Sequence, residues 1–349
     1  MTTELMAQAK QVKGAYVYEL LGKRNVVGVG LGYKVSRGVS TGELSLVVSV
    51  THKVHPSALA AEDLVPKVLD GVKTDVVETG VLRAFQRRPE PCPEPHRRAA
   101  EGLGPRDRWR PVVPPGVSVG HYRITAGTFG CLVRRGEERF ILSNNHVLAD
   151  TNNGQQGDAI LQPGAADGGT MDDRIATLAD YVPLDFGTAP PECPITEWSA
   201  RLLNYVAGAF GSRHRLQAVK RTEGVNRVDA ALARPLSPDL VSNEILYIGA
   251  PTGVGTATLG AEVQKTGRTS GHTQSTITQI DATLRIDYNG PTALFTGQLV
   301  AGAMSQPGDS GSAVLDMDRR VVGLLFAGSD VATVINPIDE VLSALNVEL

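Results

Sequence analysis

The sequence predicts a mainly β protein preceded by a small α/β unit, and three observations carry that prediction. After Gly116 the chain breaks into short apolar segments separated by Gly, Asp and Asn turns, which is the pattern of a barrel or sandwich. Before residue 84 the pattern is mixed, with two helical stretches and three strand-like ones. Between the two, residues 84–115 are dominated by Arg and Pro and lose all apolar periodicity. A chain of 349 residues has room for both units, and 42% hydrophobic residues suffice for packed cores.

Met6 to Leu21 reads as a helix, and Val26 to Tyr33 as the strand after it. A Gly/Ser-rich turn, Ser36 to Gly42, leads to a second strand, Leu44 to Val50, whose unbroken apolar run implies burial. Ala58 to Val65 reads as a short helix stopped by Pro66, and Val72 to Val77 as a third strand. Residues 1–83 are therefore expected to form an accessory domain. Residues 84–115, with Arg87, Arg88, Arg97, Arg98, Arg108 and Arg110 among the prolines, are expected to be a solvated linker rather than an anionic docking strip.

In residues 116–349 the clearest strands are Cys131 to Val133, Arg139 to Leu142, Val228 to Ala233, Ala261 to Lys265, Ser275 to Thr278 and Val321 to Phe326. Ile195, Trp198, Leu202, Leu203, Val206 and Phe210 fall at helical spacing, which predicts an inserted amphipathic helix packed on the barrel.

Composition excludes several function classes. A net charge of -3 gives no basic face for nucleic acid, and no apolar run is long enough to span a bilayer. The polar start, Met1 to Lys13, does not read as a secretory signal, and Cys92, Cys131 and Cys193 are no disulfide framework. Both point to the cytoplasm. No metal or organic cofactor is expected. Gly28-Val29-Gly30-Leu31-Gly32 leads to a turn and a strand where a dinucleotide loop needs a helix, and His52 and His55 have no second cluster to complete a metal site.

The chemistry concentrates in three places. Gln306-Pro307-Gly308-Asp309-Ser310-Gly311-Ser312 sets a serine between glycines, which let the backbone turn, expose the hydroxyl and aim N–H groups at one point. Phe140 to Ala149 runs a strand into small polar residues and then His146, a base for that hydroxyl. Asn226 to Ala233 carries Asp229 inside an apolar run, where a carboxylate is costly unless something pairs with it. Cys131 as a rival nucleophile would leave Ser310 and its glycines without purpose. Lys265 to Gly271 reads as a hairpin near the cleft, with His272 serving it.

Taken together, the order His146, Asp229, Ser310 and the Gly308 to Gly311 frame resemble the chymotrypsin/trypsin family over about residues 117–349, including a closing helix at Asn336 to Leu345. The resemblance implies two six-stranded antiparallel β-barrels, about 116–235 and 245–349, with the site between them. It implies Ser310 as nucleophile, His146 as general base, Asp229 as its orienting partner, and the Gly308 and Ser310 N–H groups as oxyanion hole. It also implies that Phe326 to Gly328 pairs with an extended substrate backbone, and that Met304, Gly328 and Thr333 bound the primary pocket. With Met304 at the floor, cleavage after a neutral residue is expected.

The sequence departs from the family in three ways. Val147 stands where many relatives have a cysteine bridged to the Cys131 position, and no basic residue followed by an activating Ile/Val-Val-Gly-Gly start occurs near 110–120. Asp309 is thus expected to lack a newly made amino terminus as partner. The long segment between His146 and Asp229 leaves Asp173 and Asp185 as substitutes for the third member. The expectation is a serine endopeptidase acting on an intracellular protein or peptide, with assembly or a regulatory partner as roles for the N-terminal domain. The alternative is an inactive protein of the same fold that binds or assembles partners.

Overall fold

Short apolar strands separated by tight turns pair into two principal sheets, and the candidate site lies where the two meet. The structure is a computed structural model and describes residues 3–36, 38–84, 103–189, 193–209, 211–212, 216, 220–221 and 224–349. It is mainly β and has the two-barrel arrangement expected from the sequence.

The first sheet has seven strands. Its members include β4 (Ser118–His121), β5 (Cys131–Arg135), β6 (Glu138–Ser143), β7 (Ala159–Leu161), β8 (Arg174–Tyr181) and β9 (Ala231–Pro235). Their inward side chains, among them Ile141, Ile160, Ile175 and Leu178, form one buried cluster together with Phe129 from the turn before β5.

The second sheet closes on itself. β10 (Glu262–Gly267), β11 (Gly271–Asp287), β12 (Thr292–Gly302), β13 (Ala313–Asp316), β14 (Arg320–Gly328) and β15 (Ala332–Pro337) form an antiparallel ring, because β11 pairs with both β10 and β12. A closed ring leaves no bare edge among its own members. Helix Ile338–Leu345 follows β15 and buries Ile338, Val341 and Leu345 in a cluster with residues of both sheets.

The N-terminal elements join this second sheet. Strands β1 (Val26–Ser36), β2 (Val39–Val50) and β3 (Val72–Glu78) follow helix α1 (Thr3–Gly22), and β1 pairs with the far part of β11, Gly28 opposite Leu284. The glycine-rich run explains the approach. A Cβ on Gly32 would stand 2.6 Å from the Thr278 carbonyl oxygen, so only glycine lets the two backbones meet there. From α1, Ala9, Val12, Val17, Leu20 and Leu21 pack on these strands, and Lys13 pairs with Asp281 on β11 at 2.9 Å.

Two expected helices change. Ala58 to Val65 is replaced by two 3-10 turns, Pro56–Ala58 and Ala61–Asp63, with no buried residues, since prolines at both ends and no packing face leave nothing to propagate a helix. The inserted helix exists as Pro194–Ala209, but it does not bury its apolar face; Ile195 is 73% and Trp198 64% exposed. Periodicity gave its amphipathic stripe without saying what covers it. Phe210 lies outside the described residues, as do linker residues 85–102. Of the linker arginines that are described, Arg108 and Arg110 pair with Asp173 at 2.7 and 3.5 Å.

Candidate active site

β-Pairing assembles the histidine and the aspartate. β6 leads directly into the short helix Asn145–Leu148 that carries His146, and β9 pairs with β6 with Ala231 opposite Ser143. That register sets Asp229, just before β9, beside His146, just after β6. His146 Nδ1 lies 2.6 Å from Asp229 Oδ2, and the His146 backbone N–H donates to Oδ1 at 3.3 Å. An ionised carboxylate only accepts, so Nδ1 carries the proton and the lone pair of the neutral ring sits on Nε2.

A fully buried carboxylate needs several donors to stay charged. Tyr288, just past β11, supplies a further one from its hydroxyl to Asp229 Oδ2 at 2.7 Å. Burial, then the Asp229 charge and this bond, hold the Tyr288 phenol well above its usual pKa, so it remains a donor. The Asp229 backbone is pinned as well. Its carbonyl accepts from Asn144 Nδ2 at 2.7 Å and Asn336 Nδ2 at 3.2 Å, and its N–H donates to Asn336 Oδ1 at 3.2 Å.

Ser310 sits in the turn before β13 and is 1% exposed, as is His146. The Ser310 carbonyl accepts from the Thr128 N–H at 2.8 Å, and its hydroxyl lies 3.3 Å from the Phe326 carbonyl oxygen. Gly311 has φ 92°, and a Cβ there would stand 2.4 Å from the Thr128 carbonyl, so the turn requires glycine twice over. Gly308 has φ 101° and its carbonyl is turned away to accept from Thr128 Oγ1 at 3.0 Å. Among the described residues no hydrogen bond from the Gly308 or Ser310 N–H is found.

Asp309, between them, is buried and anchors this turn from below. Its carboxylate takes N–H groups from Gln306, Thr269 and Ser270 and pairs with buried Lys265 Nζ at 3.2 Å. Burial lowers the Lys265 pKa and the Asp309 charge opposes it. An internal lysine therefore fills the place for which an amino terminus was not expected, and the Lys265 to Gly271 hairpin braces the serine turn. His272 hydrogen-bonds Gln264 within the same hairpin.

Met304, Thr333 and Gly328 come together as well. Thr333 pairs with Gly328 across β14 and β15, and its hydroxyl accepts from the Met304 N–H at 3.2 Å. Asp173 and Asp185 lie elsewhere: the first binds Arg108 and Arg110, and the second caps the Gly187 N–H. Cys131 is buried, which pushes its thiol up to about 12, far from a nucleophilic thiolate. Among the described residues no group of His, Cys, Asp and Glu could hold a metal ion, and no helix is long and apolar enough to cross a membrane.

Sequence reasoning missed Tyr288, Asn336 and the role of Lys265, and used Asn144 only as part of a polar string. No local signal marks Tyr288 or Asn336, since each meets Asp229 only through sheet closure.

No protein-family model and no curated protein matches the chain. Solved structures of chymotrypsin-like proteases are similar to it in fold. Thermobifida fusca protease A is 18% identical over 68% of this chain and 98% of its own, with a TM-score of 0.44. A Nocardiopsis protease is 15% identical over 68% and 99%, also at 0.44, and Cellulomonas bogoriensis chymotrypsin is 17% identical over 68% and 97%, at 0.41. Likeness at this level assigns no activity.

Proposed function

We propose that the chain is a serine endopeptidase in which His146, Asp229 and Ser310 act as a triad. The observation that carries this reading is the 2.6 Å contact between His146 Nδ1 and a buried Asp229 that three further groups hold in place. That contact fixes the tautomer whose Nε2 can take the serine proton, and it stabilises the imidazolium formed. Ser310 then attacks the substrate carbonyl, and the Gly308 and Ser310 N–H groups receive the developing oxyanion. His146 returns the proton to the leaving amine. The substrate backbone lies along Phe326 to Gly328, and the neutral pocket of Met304, Thr333 and Gly328 takes an uncharged side chain. A reducing compartment belongs to the same reading, because Cys131 is a free thiol.

An inactive binding protein of this fold is favoured by one observation, the near-complete burial of Ser310 and His146. Labelling with a fluorophosphonate decides between the two. The native chain is expected to label, and Ser310→Ala and His146→Ala are expected not to; a folded native chain that never labels, in any variant, removes the peptidase reading. A peptide library in which cleavage after Arg dominates removes the pocket assignment alone.

A further inference from the structure

Residues 82–84 run beside the edge of β14 that the peptidase reading gives to substrate. Arg83 N–H donates to the Gly328 carbonyl at 2.9 Å, and Gly328 N–H donates to the Arg83 carbonyl at 3.0 Å, an antiparallel pair. The opposite side of the segment is held by Asp287 at the end of β11. Asp287 N–H donates to the Leu82 carbonyl at 2.9 Å, and its own carbonyl accepts from the Ala84 N–H at 3.0 Å. Leu82 and Ala84 are buried in one cluster with Tyr288, Phe295 and Phe326, while the Arg83 side chain is half exposed and lies 3.7 Å from the Asp287 carboxylate. One side chain in and the next out is the alternation of a strand.

This seat excludes a second occupant. A backbone N–H makes one strong hydrogen bond, and that of Gly328 is given to Arg83. The other side of Gly328 is taken by Thr333 of β15. A peptide that adds to β14 at Gly328 must therefore stand where Arg83 stands now. The hold at this position is short. β14 and β15 pair from Gly323 opposite Pro337 to Gly328 opposite Thr333, whereas Arg83 meets β14 through a single isolated bridge.

We infer that residues 82–84 are an internal competitor for the substrate edge, so that the chain holds its own cleft closed and a peptide binds only when the segment leaves Gly328. The inference rests on the peptidase reading and adds the control of its site. The competitor is extended backbone anchored by Leu82 and Ala84, and what displaces it is a peptide that offers Gly328 the same two bonds. The apparent affinity for every such peptide is lowered by the fraction of chains in which the segment is still seated.

Two probes separate edge occupancy from serine reactivity: an alkyl fluorophosphonate, which needs only Ser310, and a tripeptidyl phosphonate with a neutral side chain at its reactive end, which also needs Gly328. Arg83→Pro removes the N–H given to Gly328. It is expected to react with the tripeptidyl probe about tenfold faster than wild type, on the order of one lost hydrogen bond, and with the alkyl probe within about threefold of wild type. A folded Arg83→Pro chain that changes neither rate, or both alike, overturns the inference and leaves the peptidase standing.

A staple tests the opposite direction and decides alone where Arg83→Pro does not fold. A Cβ on Gly80 would stand 3.5 Å from the Ser329 Cβ, within the span of a disulfide. Gly80 has φ 70°, a left-handed conformation that Tyr247 also adopts, at 68°. In the full chain carrying Gly80→Cys and Ser329→Cys, with Cys92→Ser and Cys193→Ser, the oxidised form is expected to react with the tripeptidyl probe at least about tenfold slower than the reduced form, and dithiothreitol to restore the rate. Equal rates, once mass analysis shows the bond formed, overturn the inference. Absence of alkyl labelling at Ser310 in every variant overturns the peptidase reading with it.

Discussion

Two buried histidines in the first barrel each meet an aspartate, and the proposed function assigns catalysis to only one pair, His146 and Asp229. His121 Nε2 lies 3.0 Å from Asp158 Oδ2, and its Nδ1 accepts the Arg123 N–H at 3.2 Å. Both ring nitrogens are thus committed to the fold. Burial works against the Asp158 charge, but the Gln155 N–H and His121 outweigh it and hold that carboxyl below its ordinary pKa. His146 instead gives Nδ1 to Asp229, which fixes the ring from one side and assigns the lone pair to Nε2. A short His–Asp distance therefore says little by itself. What separates the pairs is which ring nitrogen faces the carboxylate, Nε2 in His121 and Nδ1 in His146.

The widest gap between the pairs should appear in turnover. On any peptide the chain cuts, His146→Ala and Ser310→Ala are expected to lose about 10⁴-fold or more in kcat, whereas His121→Ala should stay within about threefold of wild type. If His121→Ala lost as much while remaining folded by circular dichroism, the contrast would collapse. The carboxylates come next. Asp229→Asn offers the wrong partner to Nδ1 and should lower kcat by about 10⁴. Asp158→Asn should leave kcat nearly unchanged and instead lower stability by about 1–3 kcal/mol in urea titrations.

A third prediction uses Cys131, buried on β5 with no charge partner. Its folded-state pKa, about 12, lies above the ordinary value of 9.0. The thiol's contribution to stability is thus fully present below pH 9 and is lost as pH rises through 12, a change on the order of 4 kcal/mol. Urea midpoints taken between pH 8 and 12 should fall less steeply for Cys131→Ala than for wild type. The smallest effect is expected from Tyr288→Phe, which removes one hydrogen bond to Asp229: about tenfold in kcat, with a stability loss of about 1–2 kcal/mol. An unchanged kcat would mean that His146, Asn144 and Asn336 are enough to hold Asp229.

The serine turn and the histidine were legible because their neighbours in sequence are their neighbours in space. Asp229 was legible as a charge that an apolar run could not tolerate alone, though it precedes β9 rather than interrupting a strand. Tyr288, Asn336 and Lys265 were not, since they reach their partners across 59, 107 and 44 residues and only after the second barrel closes. Likewise Gly28 to Gly32 reads in sequence only as a failed dinucleotide loop, and nothing local names β11 as the strand that its glycines let approach. The Pro194–Ala209 stripe was read correctly as amphipathic, but burial depends on a neighbour that periodicity does not contain.

The ladder between β1 and β11 has a consequence for a chain cut anywhere in its Arg- and Pro-rich linker. Helix α1 and strands β1 to β3 would remain bound to the larger piece through backbone pairing and a shared apolar cluster, so the two polypeptides would migrate together until denatured.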